Sequence, residues 1–312
     1  MDDRLRVLWD FDDLEVTDRR FREQLVREDS DAGRAEVLTQ LARVHGLRGN
    51  FDAGDDLIDQ ASLLAGSSTV ARARIDLERG RLRRSSGDPE SALALFESAF
   101  AIALEAEQEF VAADAAHMAA LAAPDRGGRV AWTERGIALA DEHAEASYWL
   151  GPLLNNLGWE YYEAGEYIQA LEAFERALAA RERTPENVEA TALARYAVGK
   201  ALRALDRPEE AIPQLEQAVA SAEGAGHPDG WYHEELAEEY AAAGRSKEAA
   251  EQARRAIPLL EADDPSFSED NGRRARLADL AATWSEAALP ESDPASSETR
   301  PHGRGGETTL SP

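Results

Sequence analysis

The chain has 312 residues, 43% of them hydrophobic and 30% charged, enough apolar material for a sizeable core in one domain or two. Its 34 Lys and Arg against 61 Asp and Glu leave a formal charge of −27, a field that repels phosphate backbones and anionic lipid and argues against nucleic-acid or membrane binding as the main task. The lack of cysteine excludes disulfides and thiolate metal sites and fits a reducing compartment.

The opening stretch MDDRLRVLWDFDD is acidic and broken by charges, unlike a signal peptide or membrane anchor. No uncharged run reaches the roughly 18 apolar residues of a spanning helix, so a cytoplasmic protein is the expectation. Leu8, Trp9 and Phe11 sit among carboxylates, where aromatics are expected to close the end of the core that follows. Thr17 to Arg27 reads as a helix with Thr17 as N-cap, Asp18 in the first turn and Phe21, Leu25 and Val26 inward. Residues 1–34 are thus expected to form an N-terminal helical cap.

Over residues 35–262 the chain reads as six pairs of amphipathic helices, starting near Ala35, Ala73, Ala112, Gly151, Ala192 and Gly230, in steps of 38, 39, 39, 41 and 38 residues. The first pair keeps Leu38, Leu41, Ala42, Ile58 and Ala61 around Gly49, with His45 as a core histidine. The second keeps Gly80, Ala92, Phe96 and Ala99, with Asp88-Pro89 as N-cap and first-turn proline, but sets Asp76, Arg79 and Arg83 where apolar residues are expected. The third is the most degenerate, holding Met118, Ala119, Ala131 and Ala138 about a strong break from Pro124 to Arg129.

The fourth pair, Leu153 to Ala180, is the clearest. Leu154, Leu157, Gly158 and Tyr161 share one stripe, Ala170, Phe174, Ala177 and Leu178 the next, and Gly165 stands at the turn. The fifth, behind Thr184-Pro185, keeps Val198, Gly199, Leu202, Ala211, Leu215 and Ala218; Pro213 falls inside its second helix, at a cost of about 3 kcal/mol. The sixth keeps Leu236, Ala237, Tyr240, Gly244, Ala249 and Ala256, with Ser246 as cap. Residues 263–289 are expected to form a C-terminal capping helix carrying Leu277, Leu280, Ala281 and Trp284 on one side, and residues 290–312, rich in Ser, Pro and Gly, a disordered tail.

Counted from Gly151, the fourth pair has a small residue eighth (Gly158), an aromatic eleventh (Tyr161), Ala twentieth (Ala170), an aromatic twenty-fourth (Phe174) and Ala twenty-seventh (Ala177). This pattern resembles the tetratricopeptide repeat (TPR), and the steps exceed its usual length of about 34, as in long-repeat bacterial variants. The resemblance implies an all-α, right-handed α-solenoid of six TPR-like helix pairs with an N-terminal helix and a C-terminal capping helix. It also implies a non-catalytic scaffold or adaptor that holds proteins or peptides in its concave groove.

Positions two, five, nine and twelve of each first helix point away from its core stripe, and in that family they line the groove. They supply Asn155, Trp159 and Tyr162, with Asn156 at the edge, then Tyr196, Lys200 and Arg203, Arg81 and Arg84, and Arg43. Asparagine amides can pair with both N–H and C=O of an extended peptide. Over all 24 such positions, six basic residues (Arg43, Arg74, Arg81, Arg84, Lys200, Arg203) face three acidic ones (Glu36, Glu234, Glu238), which suits an acidic peptide or a free C-terminal carboxylate. Two further readings are a regulator that responds to a peptide or small molecule, and a structural protein that forms a homodimer through Trp231, Tyr232 or the N-terminal aromatics.

The six histidines form no HExxH or i, i+4 pair, and no nucleophile elbow or phosphate loop occurs, so neither an enzyme nor a bound metal or cofactor is expected. The paired carboxylates Glu234-Glu235 and Glu238-Glu239 read as a solvated helix face.

Overall fold

A computed structural model describes residues 3–183 and 187–283. The expected Thr184-Pro185 cap, Trp284 and the tail from 290 lie outside these residues. Fifteen α-helices and two 3-10 turns, with no strand among the described residues, make the fold an all-α solenoid.

Helix α1 (Leu14–Arg27) precedes six pairs: α2 (Asp31–Leu47) with α3 (Phe51–Leu64), α4 (Thr69–Ser85) with α5 (Pro89–Glu105), α6 (Glu109–Ala122) with α7 (Arg126–Glu142), α8 (Leu150–Glu163) with α9 (Tyr167–Arg181), α10 (Val188–Ala204) with α11 (Pro208–Gly224), and α12 (Gly230–Ala242) with α13 (Ser246–Asp263). A short α14 (Pro265–Glu269) and α15 (Asn271–Ala282) follow. The 3-10 turns cover Arg6–Leu8 and Ala144–Trp149, the second placed between α7 and α8.

The second, fourth and fifth pairs close because one helix offers a glycine where its partner brings a large residue. A Cβ on Gly158 would lie 2.3 Å from the Phe174 ring, and one on Gly80 2.5 Å from Phe96; both rings are fully buried. In the fifth pair Leu215 fills the same role against Gly199. At the turn after α8, Gly165 adopts φ +76°, which lets its N–H reach Tyr162 O and the Glu166 N–H reach Tyr161 O, satisfying carbonyls that the helix end leaves open. Asp206 takes the same conformation, φ +55°, after α10. Apolar clusters then run the length of the chain, from Phe21, Leu41 and Ile58 through Phe96, Leu153 and Phe174 to Leu260, Phe267 and Leu277.

Several local expectations change. Asp13, not Thr17, caps α1, accepting from the Glu15 and Val16 N–H groups; Thr17 is buried instead and its hydroxyl exchanges hydrogen bonds with the Asp10 backbone. Ser246 is the first residue of α13, whose N-cap, Arg245, makes no side-chain cap bond. Asp88 does cap α5 ahead of Pro89. The polar positions on α4 are satisfied by ion pairs and hydrogen bonds to neighbouring helices: Arg79 with Asp59 and Arg83 with Asp55 of α3, at 2.6 and 2.8 Å, and Asp76 with Ser98 of α5 at 2.7 Å. Pro213 lies within an unbroken α11.

Candidate functional site

The first helices of successive pairs form one wall of the solenoid, and cross-links between their outward-turned side chains tie it together. Arg81 of α4 bridges Glu78 at 2.5 Å and Asp114 of α6. Lys200 and Arg203 of α10 reach Glu235 of α12 at 3.1 and 2.7 Å. Arg273 of α15 clasps Glu234 and Asp264, and Arg276 pairs with Glu238.

These links correct the charge picture drawn from sequence. Glu234, Glu235 and Glu239 are 7%, 3% and 2% exposed, so this is no solvated face; it is a buried row of carboxylates neutralised from neighbouring helices. Burial pushes the Glu239 carboxyl up to about 7, although Arg203 Nε lies 3.4 Å from its Oε1, and its Oε2 has no hydrogen-bond partner in the chain. Burial also disfavours the charge of Lys200, yet Glu235 and Tyr196 together hold its ammonium above the usual lysine range.

The basic candidates are accordingly engaged rather than free. Arg43 lies under Trp9 and Phe11, with its guanidinium 5.0 and 5.5 Å from their ring centres. Arg84 donates to Leu121 O at 3.3 Å. Arg203 is the most open of the paired cations in the α10–α12 cluster, its side chain 40% exposed.

The aromatic candidates are half-buried or buried. Trp159 meets Phe174 edge-on at 5.1 Å and Tyr162 at 5.5 Å, so one side of the indole belongs to the core. Tyr196 packs on Tyr232 with ring centres 4.9 Å apart and planes tilted by 30°, and burial raises its hydroxyl to about 12. Tyr232 is therefore covered, whereas Trp231 is 41% exposed beneath the Arg273 guanidinium.

At the middle of the wall, four polar atoms are buried without a hydrogen-bond partner in the chain: His117 Nδ1 on α6, Trp149 Nε1 on the 3-10 turn, and Asn155 Oδ1 and Asn156 Nδ2 on α8. The His117 and Trp149 rings lie 5.2 Å apart. Burial lowers the His117 imidazole to about 4, keeping it neutral, with one nitrogen a donor and the other an acceptor. Together the four atoms offer donors and acceptors of the kind an extended backbone requires. The asparagines were expected here from the sequence, whereas His117 and Trp149 were not. His117 is sixth in its repeat as Asn156 is in the next, so helix position alone could have found it; Trp149 belongs to a 3-10 turn that the repeat pattern does not contain.

The N-terminal segment was also missed as a feature of this wall. Asp3 to Phe11 lies against it, with Arg6 on Tyr148, Trp9 hydrogen-bonded to Gln40 and Asp3 bridged to Arg74. Between its Asp3, Arg6, Trp9 and Phe11 and the wall residues Phe110, Asp114 and Trp149 lies a small crevice of about 60 Å³. No three His, Asp or Glu side chains converge as a metal cluster, and no helix is long and apolar enough to cross a membrane, among the described residues.

Two family models described as tetratricopeptide repeat match residues 149–224 and 230–255. No curated protein matches the sequence. Among solved structures, the apo form of RapI is similar at TM-score 0.66 and 14% identity, covering 86% of this chain and 79% of that one. The Pyrococcus horikoshii protein PH0952, a signal transduction ATPase of the STAND class with a tetratricopeptide repeat sensor, is similar at TM-score 0.65 and 12% identity, over 82% of this chain and 41% of its own. A Rap protein complexed with Competence and Sporulation Factor is similar at TM-score 0.51 and 18% identity, over 86% and 72%. At these identities the likeness concerns the fold.

Proposed function

We propose that this tetratricopeptide-repeat protein is a non-catalytic adaptor that holds an extended peptide segment of a partner along the wall formed by α6, α8, α10 and α12. The observation that carries this reading is the set of unpartnered buried polar atoms on His117, Trp149, Asn155 and Asn156. Leaving such a group unsatisfied costs about 1–3 kcal/mol, which a bound backbone would return once these side chains turn outward to meet it. Trp159 and Tyr162 flank the set with apolar area, and Lys200 and Arg203 offer a place for an acidic side chain or a terminal carboxylate in exchange for Glu235. The solved complex of a Rap protein with Competence and Sporulation Factor is consistent with a solenoid of this kind holding a partner.

Selection of a random displayed peptide library on the immobilised full chain tests the reading. Enriched peptides should lose about tenfold or more in affinity on the Asn155→Ala/Lys200→Ala/Arg203→Ala variant while its circular dichroism stays unchanged. No enrichment, or equal binding by a folded variant, removes it.

A further inference from the structure

Residues 3–11 lie against the wall through spaced polar and aromatic anchors, with Leu5 buried in the apolar core and Leu8 and Trp9 packed on it. The Asp3 carboxylate takes both guanidinium nitrogens of Arg74, at 2.7 and 3.1 Å, and the two side chains are 8% and 6% exposed. Three residues on, the Arg6 guanidinium sits 3.4 Å from the centre of the Tyr148 ring. Three further on, Trp9 Nε1 donates to Gln40 Oε1 at 3.0 Å, while its ring stacks on Phe11 at 4.8 Å and meets Phe21 edge-on at 5.3 Å. The 3-10 turn over Arg6–Leu8, with three residues per turn, puts the three anchors on one side. Between them Val7 is 75% exposed, while Leu5 is buried in the apolar core and Leu8 packs against it.

The contacts span α2, α4 and the turn before α8, so one short segment occupies the N-terminal half of the wall. Every anchor on the receiving side, Gln40, Arg43, Arg74 and Tyr148, is a side chain that another peptide could use equally well.

We propose that residues 3–11 are an intramolecular ligand, which competes for this half of the wall with partner peptides carrying a carboxylate, an arginine three residues later and an indole three later again. The inference rests on the reading of the wall as peptide-holding and names its ligand class in the N-terminal half. Because the segment is tethered, its effective concentration is of order mM, and a partner with the same anchors gains access only as the cis contacts weaken.

The test uses the full chain and a fluorescent, acetylated peptide of residues 2–13, followed by anisotropy. The Arg6→Ala/Trp9→Ala chain, its cis segment weakened, should bind the peptide about tenfold or more tightly than wild type. Adding Tyr148→Ala to that chain should abolish capture. Equal binding by wild type and variant, or binding by neither, overturns the inference.

A second form guards against a variant that misfolds. A specific protease site placed between Phe11 and Asp12, both exposed, leaves the anchors intact. After cleavage the released segment should exchange with labelled peptide; a segment that never exchanges is structural packing and overturns the proposal. Library peptides that still depend on Asn155, Lys200 and Arg203 would show the adaptor reading standing without this one.

Discussion

Arg6 and Tyr148 meet face to face, a guanidinium 3.4 Å above a ring centre, joining the N-terminal segment to the turn that opens the fourth helix pair. A cation over an aromatic face is worth about 0.5–2 kcal/mol, the larger value when water is excluded. Tyr148→Ala should therefore raise amide exchange across Arg6–Trp9 by about two- to thirtyfold, while Tyr148→Phe keeps the ring and the protection. Exchange in α10 to α13 should not change, since solenoid repeats touch mainly their neighbours. Hydrogen exchange read by mass spectrometry checks all three.

The close approach of Gly158 to Phe174 makes a contrasting pair of substitutions informative. Gly158→Ala places a methyl 2.3 Å from a ring that is fully buried, and should destabilise by about 1–3 kcal/mol in chemical denaturation. Gly224→Ala, at the end of α11 with nothing within 4 Å, should stabilise by about 0.5 kcal/mol by narrowing the unfolded ensemble.

These glycines mark what was legible in the sequence. A small residue at the place of Gly158 recurs every 38 to 41 residues, most often with a large apolar one at the place of Phe174 and a glycine at that of Gly165, and period and helix boundaries follow from it. Glu235 and Glu239 were opaque for the opposite reason. A carboxylate pair on a chain of net charge −27 looks solvated, and the cations that bury it, Lys200 and Arg203, come from a helix more than thirty residues earlier. The destination of Trp9 was equally hidden, since an irregular segment has no periodicity and its contact with Gln40 is a matter of tertiary position.

Glu239 predicts a pH dependence. Its carboxyl titrates near 7 in the folded chain against an ordinary value of 4.5, so between those values the folded state binds a proton that the unfolded state does not. Stability from this site is full below about pH 4.5 and falls as pH rises to about 7, by up to about 3 kcal/mol. His117, lowered to about 4 by burial, acts in the opposite sense, its contribution being lost as pH falls from 6.5 to 4. Glu239→Gln keeps His117 and removes only the first effect. The difference in unfolding free energy between variant and wild type should grow from pH 5 to pH 8, measured by urea titration at each pH.

On the reading proposed above, a peptide lies along α8 and α10 at the middle of the wall. Hydrogen exchange of the full chain with a saturating library-selected peptide tests it most directly. Bound peptide should add protection in α8 and α10, around Asn155 to Tyr162 and Tyr196 to Arg203, with α9 and α11 unchanged. Protection confined to the outer helices α9 and α11, or none anywhere on α8 and α10, would contradict it.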